Sequence, residues 1–405
     1  MKKSLRLVLL FSIFALVGSL AFAGLEEDSY KKMFAADTEK TELEALFADS
    51  FLKLLPIGEI EKIIAIYTDS LGELVGLEED KSPMVLRFTK GIAPTTIAFD
   101  AENKISSLWF GAPELRDDSI SKVVGDFKEL EGKVGLCLLK NGKEELVAFN
   151  ADEPLAVGSA FKLYVLAALE QQVKEKKLKY SDVIQLKKNW QSMPSGITQE
   201  WYPGASLTLE TLAVLMISLS DNTATDHLFN FLGRDMLNEV FPETSTPVLN
   251  TMDMFKLKIF YPEKGEAFVK ANKSQRSKML KQLAEMEVDQ NDFAEIIRNW
   301  KKPKMLEIAW HITNRQLCET IFSLKGSKAL RVNPAQGIAN KKDWQVIGFK
   351  GGIEPGVLNF TWILQPKNSK DFYSFSCTIN NAEKEVDTTA FSMLASRMLK
   401  LIAAK

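Results

Sequence analysis

The sequence predicts an α/β protein, more narrowly α+β. A small helix-plus-sheet domain is followed by a larger one whose antiparallel sheet is assembled from both of its ends and flanked by helices. Three observations carry this. In TELEALFADSFLKLL and IGEIEKIIAIYTDSLGEL the apolar residues recur at helical spacing, and the runs MVLRFTKG, PTTIAFDAEN and KISSLWFGAP that follow alternate between turn residues. Further on, GKVGLCLLKNGKEELVAFNADEPLA reads as two strands around an Asn141-Gly142 hairpin turn. The chain then ends in three more strand-like runs, WQVIGFKGG, VLNFTWILQP and FYSFSCTINN, and one amphipathic helix, TTAFSMLASRMLKLIAA. At 405 residues the chain exceeds one ordinary core, so two domains are expected.

In chain order, residues 1–23 have the grammar of a secretory signal. Lys2, Lys3 and Arg6 precede an apolar run from Leu7 to Val17, then Ala21-Phe22-Ala23, with cleavage expected after Ala23. The competing reading is an uncleaved anchor, but the apolar run falls short of the ~20 residues a span needs. No cysteine follows to carry a lipid, and removal of the three basic residues would take the net charge from −2 to −5. Gly24 to Lys40 reads as a polar linker or frayed helix. The small domain is expected over 24–115; its pattern resembles the compact helix-and-curved-sheet domains of the nuclear-transport-factor-2 and cyclase type. The larger domain is expected over 116–405. It opens on a helical connector from Asp117 to Leu130, then the hairpin, then the apolar helical run GSAFKLYVLAALE. Leu207 to Leu232 reads as helix broken at Ser220-Asp221-Asn222, and Glu263 to Leu324 as a charged helical region whose first part, 263–304, is a solvated lid or flank.

Composition excludes several classes. Hydrophobic residues make up 46% of the chain and charged ones 26%, the balance of a globular protein, and neither sign of charge forms a block of the kind phosphate backbones require. No nucleic-acid partner is expected, and no membrane partner once the signal is removed. Three scattered cysteines, Cys137, Cys318 and Cys377, are too few for a disulfide framework and read as buried thiols, with a Cys137–Cys377 bridge left open. Only two histidines occur, His227 and His311, both in segments that read as helix faces. With no C-x-x-C and no H-x-x-x-H, neither a metal nor another cofactor is expected.

The chemistry is carried by three short stretches. S-x-x-K occurs four times, at Ser29/Lys32, Ser50/Lys53, Ser119/Lys122 and Ser159/Lys162, so the pattern alone means nothing. Only the last lies between a strand hairpin and a wholly apolar helix. There a serine in the first turn lies near helix N–H groups that stabilise negative charge, and a lysine three residues on shares its face. Desolvated, that lysine can take the serine proton; alternatively the serine caps the helix and the lysine reaches solvent. Ser220-Asp221-Asn222 occurs once, at a helix junction, and also suits a plain N-cap. Lys350-Gly351-Gly352-Ile353 ends a strand; adjacent glycines admit a ligand or a second backbone, and the lysine offers a cation, or the stretch is a strand-end bulge.

In order and context these stretches resemble the class A β-lactamases and penicillin-binding proteins, from about Gly132 onward. The longest likeness is SLTLETLAVLMISLSDNTATDHLFNFLG, followed by GFKGGIEPGVLNFTWIL. The resemblance implies a β-lactamase-like fold and a set of roles. Ser159 would be the acylated nucleophile and Lys162 its base. Ser220 would pass a proton to the leaving nitrogen, and Asn222 would bind Lys162 and the substrate amide. Lys350 would bind the substrate carboxylate, flanked by Gly351 and Gly352, and the N–H groups of Ser159 and Ile353 would form the oxyanion hole. Two departures stand out. Gly351 lacks the hydroxyl that normally follows the lysine, and no E-x-x-L-N glutamate is found: Thr246-Pro247-Val248-Leu249-Asn250 has threonine in its place, and Glu243 is only nearby in sequence. The expectation is a secreted or periplasmic serine hydrolase that forms an acyl-enzyme with a β-lactam, amide or ester, with β-lactam turnover in doubt. The alternatives are a binding protein that keeps the cleft without the chemistry, or a peptidoglycan peptidase or esterase. The expected partner is a small-molecule or peptide substrate.

Overall fold

The computed structural model describes residues 24–78, 81, 83–192, 194–288, 295, 297, 299–334 and 338–405. The signal-peptide reading of residues 1–23 lies outside them, as does part of the charged region. No helix among the described residues is long and apolar enough to cross a membrane. Contacts divide the chain into two units: residues up to 125 together with 389–401, and residues 126–388 together with 402–405. The stretch 389–401, which the sequence assigned to the second domain, thus groups with the first.

The first unit holds helices Leu25–Phe34, Lys40–Glu44, Asp49–Leu52 and Ile57–Leu71 and an antiparallel sheet in the order β1-β2-β3-β4. Its strands are β1 (Leu74–Glu78), β2 (Met84–Phe88), β3 (Gly91–Phe99) and β4 (Ile105–Phe110), with the short β5 (Glu114–Leu115) on β3. Gly72, at φ +80°, ends the long helix and turns the chain into β1. The stretch 24–40, read as a linker or frayed helix, holds a helix over Leu25–Phe34. Its acidic first turn and basic last turn complement the helix dipole, and Tyr30 and Met33 enter the core with Phe51, Tyr67, Leu86 and Phe88. The Tyr30 hydroxyl meets Thr95 Oγ1 at 2.6 Å, so its polar end is satisfied in the interior. In the final helix, Arg397 forks onto the Asp118 carboxylate through Nε (2.9 Å) and Nη2 (2.8 Å).

The second unit is built on a five-stranded antiparallel sheet in the order β12-β13-β14-β6-β7. Strands β6 (Lys133–Lys140) and β7 (Glu144–Phe149) form the hairpin at Asn141-Gly142. The short strands β8 (Leu155–Ala156), β9 (Val183–Gln185), β10 (Ser206–Thr208) and β11 (His311–Ile312) come between. The sheet is completed by β12 (Trp344–Glu354), β13 (Val357–Pro366) and β14 (Tyr373–Asn380). β6 pairs with β14, so the two ends of the domain do share one sheet. The register decides the open disulfide question. Cys137 faces Ser376, and Cys377 faces Leu136, so the two thiols point to opposite sheet faces; all three cysteines are free and buried. Among the described residues β12 pairs only with β13, which leaves its outer edge free.

Helix Lys162–Lys174 is buried on all sides over its first two turns, where Leu163, Val165, Leu166 and Leu169 pack with Leu212, Met216, Leu228 and Phe229, and it becomes polar and exposed at Gln171 and Lys174. Phe161, just before it, stacks on Trp310 at 3.7 Å. The charged region is not one helix. Pro262–Lys270 and Lys273–Ala284 are helical, but His311 is not on a helix face: it lies in β11, paired antiparallel with Ala156 of β8. The helix begins after it, at Asn314, because Thr313 and Gln316 form a capping box there.

One buried ion pair ties the helical side of the unit to the sheet. Helix Thr251–Phe255 continues into a π-helical turn, Lys256–Phe260, which aims Lys258 inward. Its amine meets the Glu354 carboxylate at the end of β12 at 2.8 Å, with both side chains almost entirely out of water. Removing one partner leaves the other charge buried. Glu354→Ala should therefore lose about 3–5 kcal/mol of stability, read as a lowered urea midpoint. An unchanged midpoint would show that the pair is not load-sharing.

Candidate active site

Ser159 sits in a single 3₁₀ turn, Gly158–Phe161, that leads directly into the Lys162–Lys174 helix. Gly158 takes φ +49°, where a side chain is strained, and carries the chain from β8 into this turn. The turn rests against β12 backbone to backbone. A Cβ on Gly352 would lie 1.9 Å from the Val157 carbonyl oxygen and 2.6 Å from Ser159 N; one on Gly158 would lie 2.9 Å from Ile353 N. The two glycines thus bring the amides of Ser159 and Ile353 together beside the free edge of β12. Among the described residues Ser159 Oγ forms no hydrogen bond within the protein, and the residue is half-buried.

Lys162 is fully buried and its amine is the hub of the site. It donates to the Ser220 carbonyl at 2.6 Å, to Asn222 Oδ1 at 2.7 Å and to Ser220 Oγ at 3.2 Å. Lys350, 3% exposed, reaches the same hydroxyl from the other side at 3.0 Å. Burial pushes the Lys162 amine down to about 7, against the opposing pull of Asp221 and Asp226. Burial first, and then the charge of Lys162, hold Lys350 well below the usual lysine range. The serine hydroxyl of Ser220 is therefore shared by two amines that are easily deprotonated. The other three S-x-x-K matches have exposed lysines.

The junction that presents Ser220 is held by Asp221. Ser220 itself takes φ +55°, a conformation that costs a non-glycine residue of order 1–3 kcal/mol. It turns the carbonyl toward Lys162. Asp221 caps the Asn222–Leu232 helix through Ala224 N at 2.8 Å and also binds Ile197 N, Thr198 N and Thr198 Oγ1 at 2.6–2.9 Å. A side chain on Gly196 would strike that carboxylate, so the 196–198 loop can close on it. Asp221 is thus a cap and a brace, while its neighbours Ser220 and Asn222 face Lys162. His227 is also structural: its Nδ1 lies 2.7 Å from the Thr223 carbonyl and its Nε2 accepts from Lys187 N.

Residues 116–309 match the family model described as the beta-lactamase enzyme family. The β-lactamase SME-1 of Serratia marcescens is similar, 28% identical over 126 residues, which cover 31% of this chain. The match spans only 42% of the SME-1 protein. Solved structures with likeness include a β-lactamase from Sphaerobacter thermophilus (18% identity, TM-score 0.48, 71% of this chain and 96% of that one). Another is PBP-A (13%, 0.45, 70% and 96%).

The two departures from the family pattern that the sequence indicated are visible in the structure. Thr246 spends its hydroxyl on the Glu243 carbonyl at 3.0 Å, and Asn250 caps helix Thr251–Phe255 in a capping box with Asp253. Glu243 does not turn toward the site; its side chain is 86% exposed and pairs with Lys273 at 2.9 Å. Asp226, whose carboxyl burial pushes up to about 6, is occupied by Thr251 N and Met252 N. Among the described residues no carboxylate hydrogen-bonds Ser159, Lys162 or Lys350.

Sequence reasoning missed the polar stripe that backs the site. In β13, Thr361 and Asn359 lie opposite Lys350 and Gly352, and they bond onward to Ser376 and Thr378, which donate to Asn314. The available signal was the pair of polar residues two apart in the otherwise apolar VLNFTWIL. The close approach at Gly352 yields a direct test. Gly352→Ala should fold but push β12 away from Ser159. Its rate of labelling by an alkyl fluorophosphonate should fall roughly 100-fold or more, the scale of losing an oxyanion donor. A parent-like rate would contradict the contact.

Proposed function

We propose that the chain is a serine hydrolase that forms an acyl-enzyme at Ser159 on a β-lactam, amide or ester. The observation that carries this reading is the buried Lys162 amine, held in reach of Ser220 and Asn222 and poised near neutrality. Its neutral form takes the Ser159 proton as Oγ attacks the substrate carbonyl. The negative charge that develops on the carbonyl oxygen faces the Ser159 and Ile353 amides. Lys162 then returns its proton through Ser220 Oγ to the departing nitrogen or oxygen, with Lys350 stabilising the hydroxyl during the transfer. The acyl group remains on Ser159. The leader-like residues 1–23 favour a secreted or periplasmic enzyme.

Release of that acyl group requires an activated water. The loop position where the related hydrolases carry a glutamate holds Thr246, and Glu243 is turned to solvent. This favours a slowly released acyl-enzyme with β-lactams, a penicillin-binding rather than a penicillin-destroying behaviour. A fold kept only for binding predicts no covalent adduct at all.

Intact-protein mass spectrometry with a fluorophosphonate should show one adduct, absent in Ser159→Ala. Because the base must be neutral, the labelling rate should rise about tenfold per pH unit below 7 and level off above it. Labelling that survives in Ser159→Ala overturns the assignment. A rate still climbing to pH 10 would mark an ordinary lysine and overturn the role given to Lys162.

A further inference from the structure

We infer that Cys137 and Cys318 are the two halves of a disulfide bond that ties helix Asn314–Ser323 to strand β6 when the chain folds under oxidising conditions. The register that separates Cys137 from Cys377 brings it beneath this helix instead. Cys137 lies directly opposite Ser376 on β14, so the two side chains share one face of the sheet. Ser376 Oγ donates to Asn314 Oδ1 at 2.8 Å, which identifies that face as the one the helix covers. The helix runs along the strand. A side chain on Gly135 would strike the Asn314 amide, and one on Gly142 would strike the Phe322 ring, so glycines at two points let helix and strand approach closely. From Asn314 to Cys318 the helix rises about 6 Å, and from Gly135 to Cys137 the strand rises about 6.6 Å. The two advances match and set Cys318 over Cys137. Its sulfur lies 3.3 Å from the Cys137 carbonyl oxygen and 3.4 Å from that of Ser374. Both thiols are fully buried, in a small cluster closed by Leu139 and Ala151.

Burial, and then the neighbouring Cys137 thiol, hold the Cys318 thiol well above the usual cysteine range. The docked pair is therefore slow to react, because the thiolate is the attacking species, and the bond forms before the helix closes on the sheet. The step is thiol–disulfide exchange with a disulfide donor, an oxidised dithiol oxidoreductase or glutathione disulfide. One cysteine thiolate attacks the donor S–S bond and releases one donor thiol. The second attacks the mixed disulfide so formed and releases the other. The donor S–S bond breaks and an Sγ–Sγ bond forms; two electrons pass from the cysteines to the donor, whose two sulfurs take up the two protons. A secreted or periplasmic setting, as proposed above, is where such donors stay oxidised. Cys377 takes no part, since it points to the opposite face of the sheet. The two cysteines are 181 residues apart, and the loop they close contains Ser159, Lys162, Ser220 and Asn222. A cross-link over so long a loop restricts the unfolded chain strongly.

The test refolds the full chain from urea in a mixture of reduced and oxidised glutathione, then alkylates the remaining thiols with N-ethylmaleimide in fresh urea. Intact-protein mass spectrometry should show a parent chain that has lost two hydrogens and taken one maleimide, on Cys377. Peptide mapping should join Cys137 to Cys318. Cys377→Ala should keep the bridge and take no maleimide, whereas Cys318→Ala should take two. On heating, the oxidised parent should unfold roughly 5 °C or more above the same chain treated with dithiothreitol. That difference should vanish in Cys318→Ala; if this variant fails to fold, the mapping and the two midpoints of the parent still decide. Three maleimides on the refolded parent, glutathione retained on Cys137 or Cys318, or a bridge to Cys377 overturns the inference, as does a midpoint that reduction leaves unmoved. None of these outcomes bears on Ser159, so the acyl-enzyme reading stands or falls separately.

Discussion

The site depends on one constraint, a lysine amine removed from water and given oxygen acceptors that carry no formal charge. Lys162 meets the Ser220 carbonyl, the Ser220 hydroxyl and the Asn222 amide oxygen, and among the described residues no carboxylate hydrogen-bonds it. A paired carboxylate would have held the amine charged and useless as a base. Neutral acceptors satisfy its protons while leaving desolvation to lower its pKa. The rest follows from the need to build that environment. The helix must be apolar on all sides of its first two turns to bury the lysine, and Ser220 must adopt a left-handed backbone to aim its carbonyl. Asp221 must spend its charge on loop amides and the helix cap rather than on the lysine.

The second requirement is close backbone approach between elements far apart in sequence. Ser159 belongs to the segment after the first hairpin, and β12 comes almost two hundred residues later, yet Gly158 and Gly352 let the two chains touch main chain to main chain. The sheet built from both ends of the unit makes this possible, since it delivers β12 to an edge with one side unpaired. The buried Lys258–Glu354 pair fastens the end of that edge strand to the helical side. Loss of either glycine or of the pair acts on the position of the strand rather than on the reacting groups.

Much of this was legible in the sequence because the signals were local. Apolar periodicity located the helix after Ser159, Asn141-Gly142 marked the hairpin, and Ser220-Asp221-Asn222 broke its helix where expected. Residues whose meaning lies in long-range packing were not legible. Leu25–Phe34 looked polar enough for a linker because only one face is buried, through Tyr30 and Met33. His311 looked helical because it stands in EIAWHITNRQL, which runs into a helix, whereas pairing with Ala156 and the Thr313 cap start that helix later. Lys258 gave no sign of its inward aim, which a π-helical turn creates.

In the reaction proposed, the arrangement accounts for acylation of Ser159 better than for release of the acyl group, since the loop expected to activate water supplies a threonine and a solvent-facing glutamate. Everything on the first half of the reaction rests on the ionisation of one amine. A nuclear magnetic resonance titration of the protein labelled with ¹³C at lysine Cε, assigned with Lys162→Arg, measures it directly. The account predicts that the Lys162 resonance titrates near pH 7, well apart from the exposed lysines. A resonance that moves only above about pH 9, as in an ordinary lysine, would contradict it.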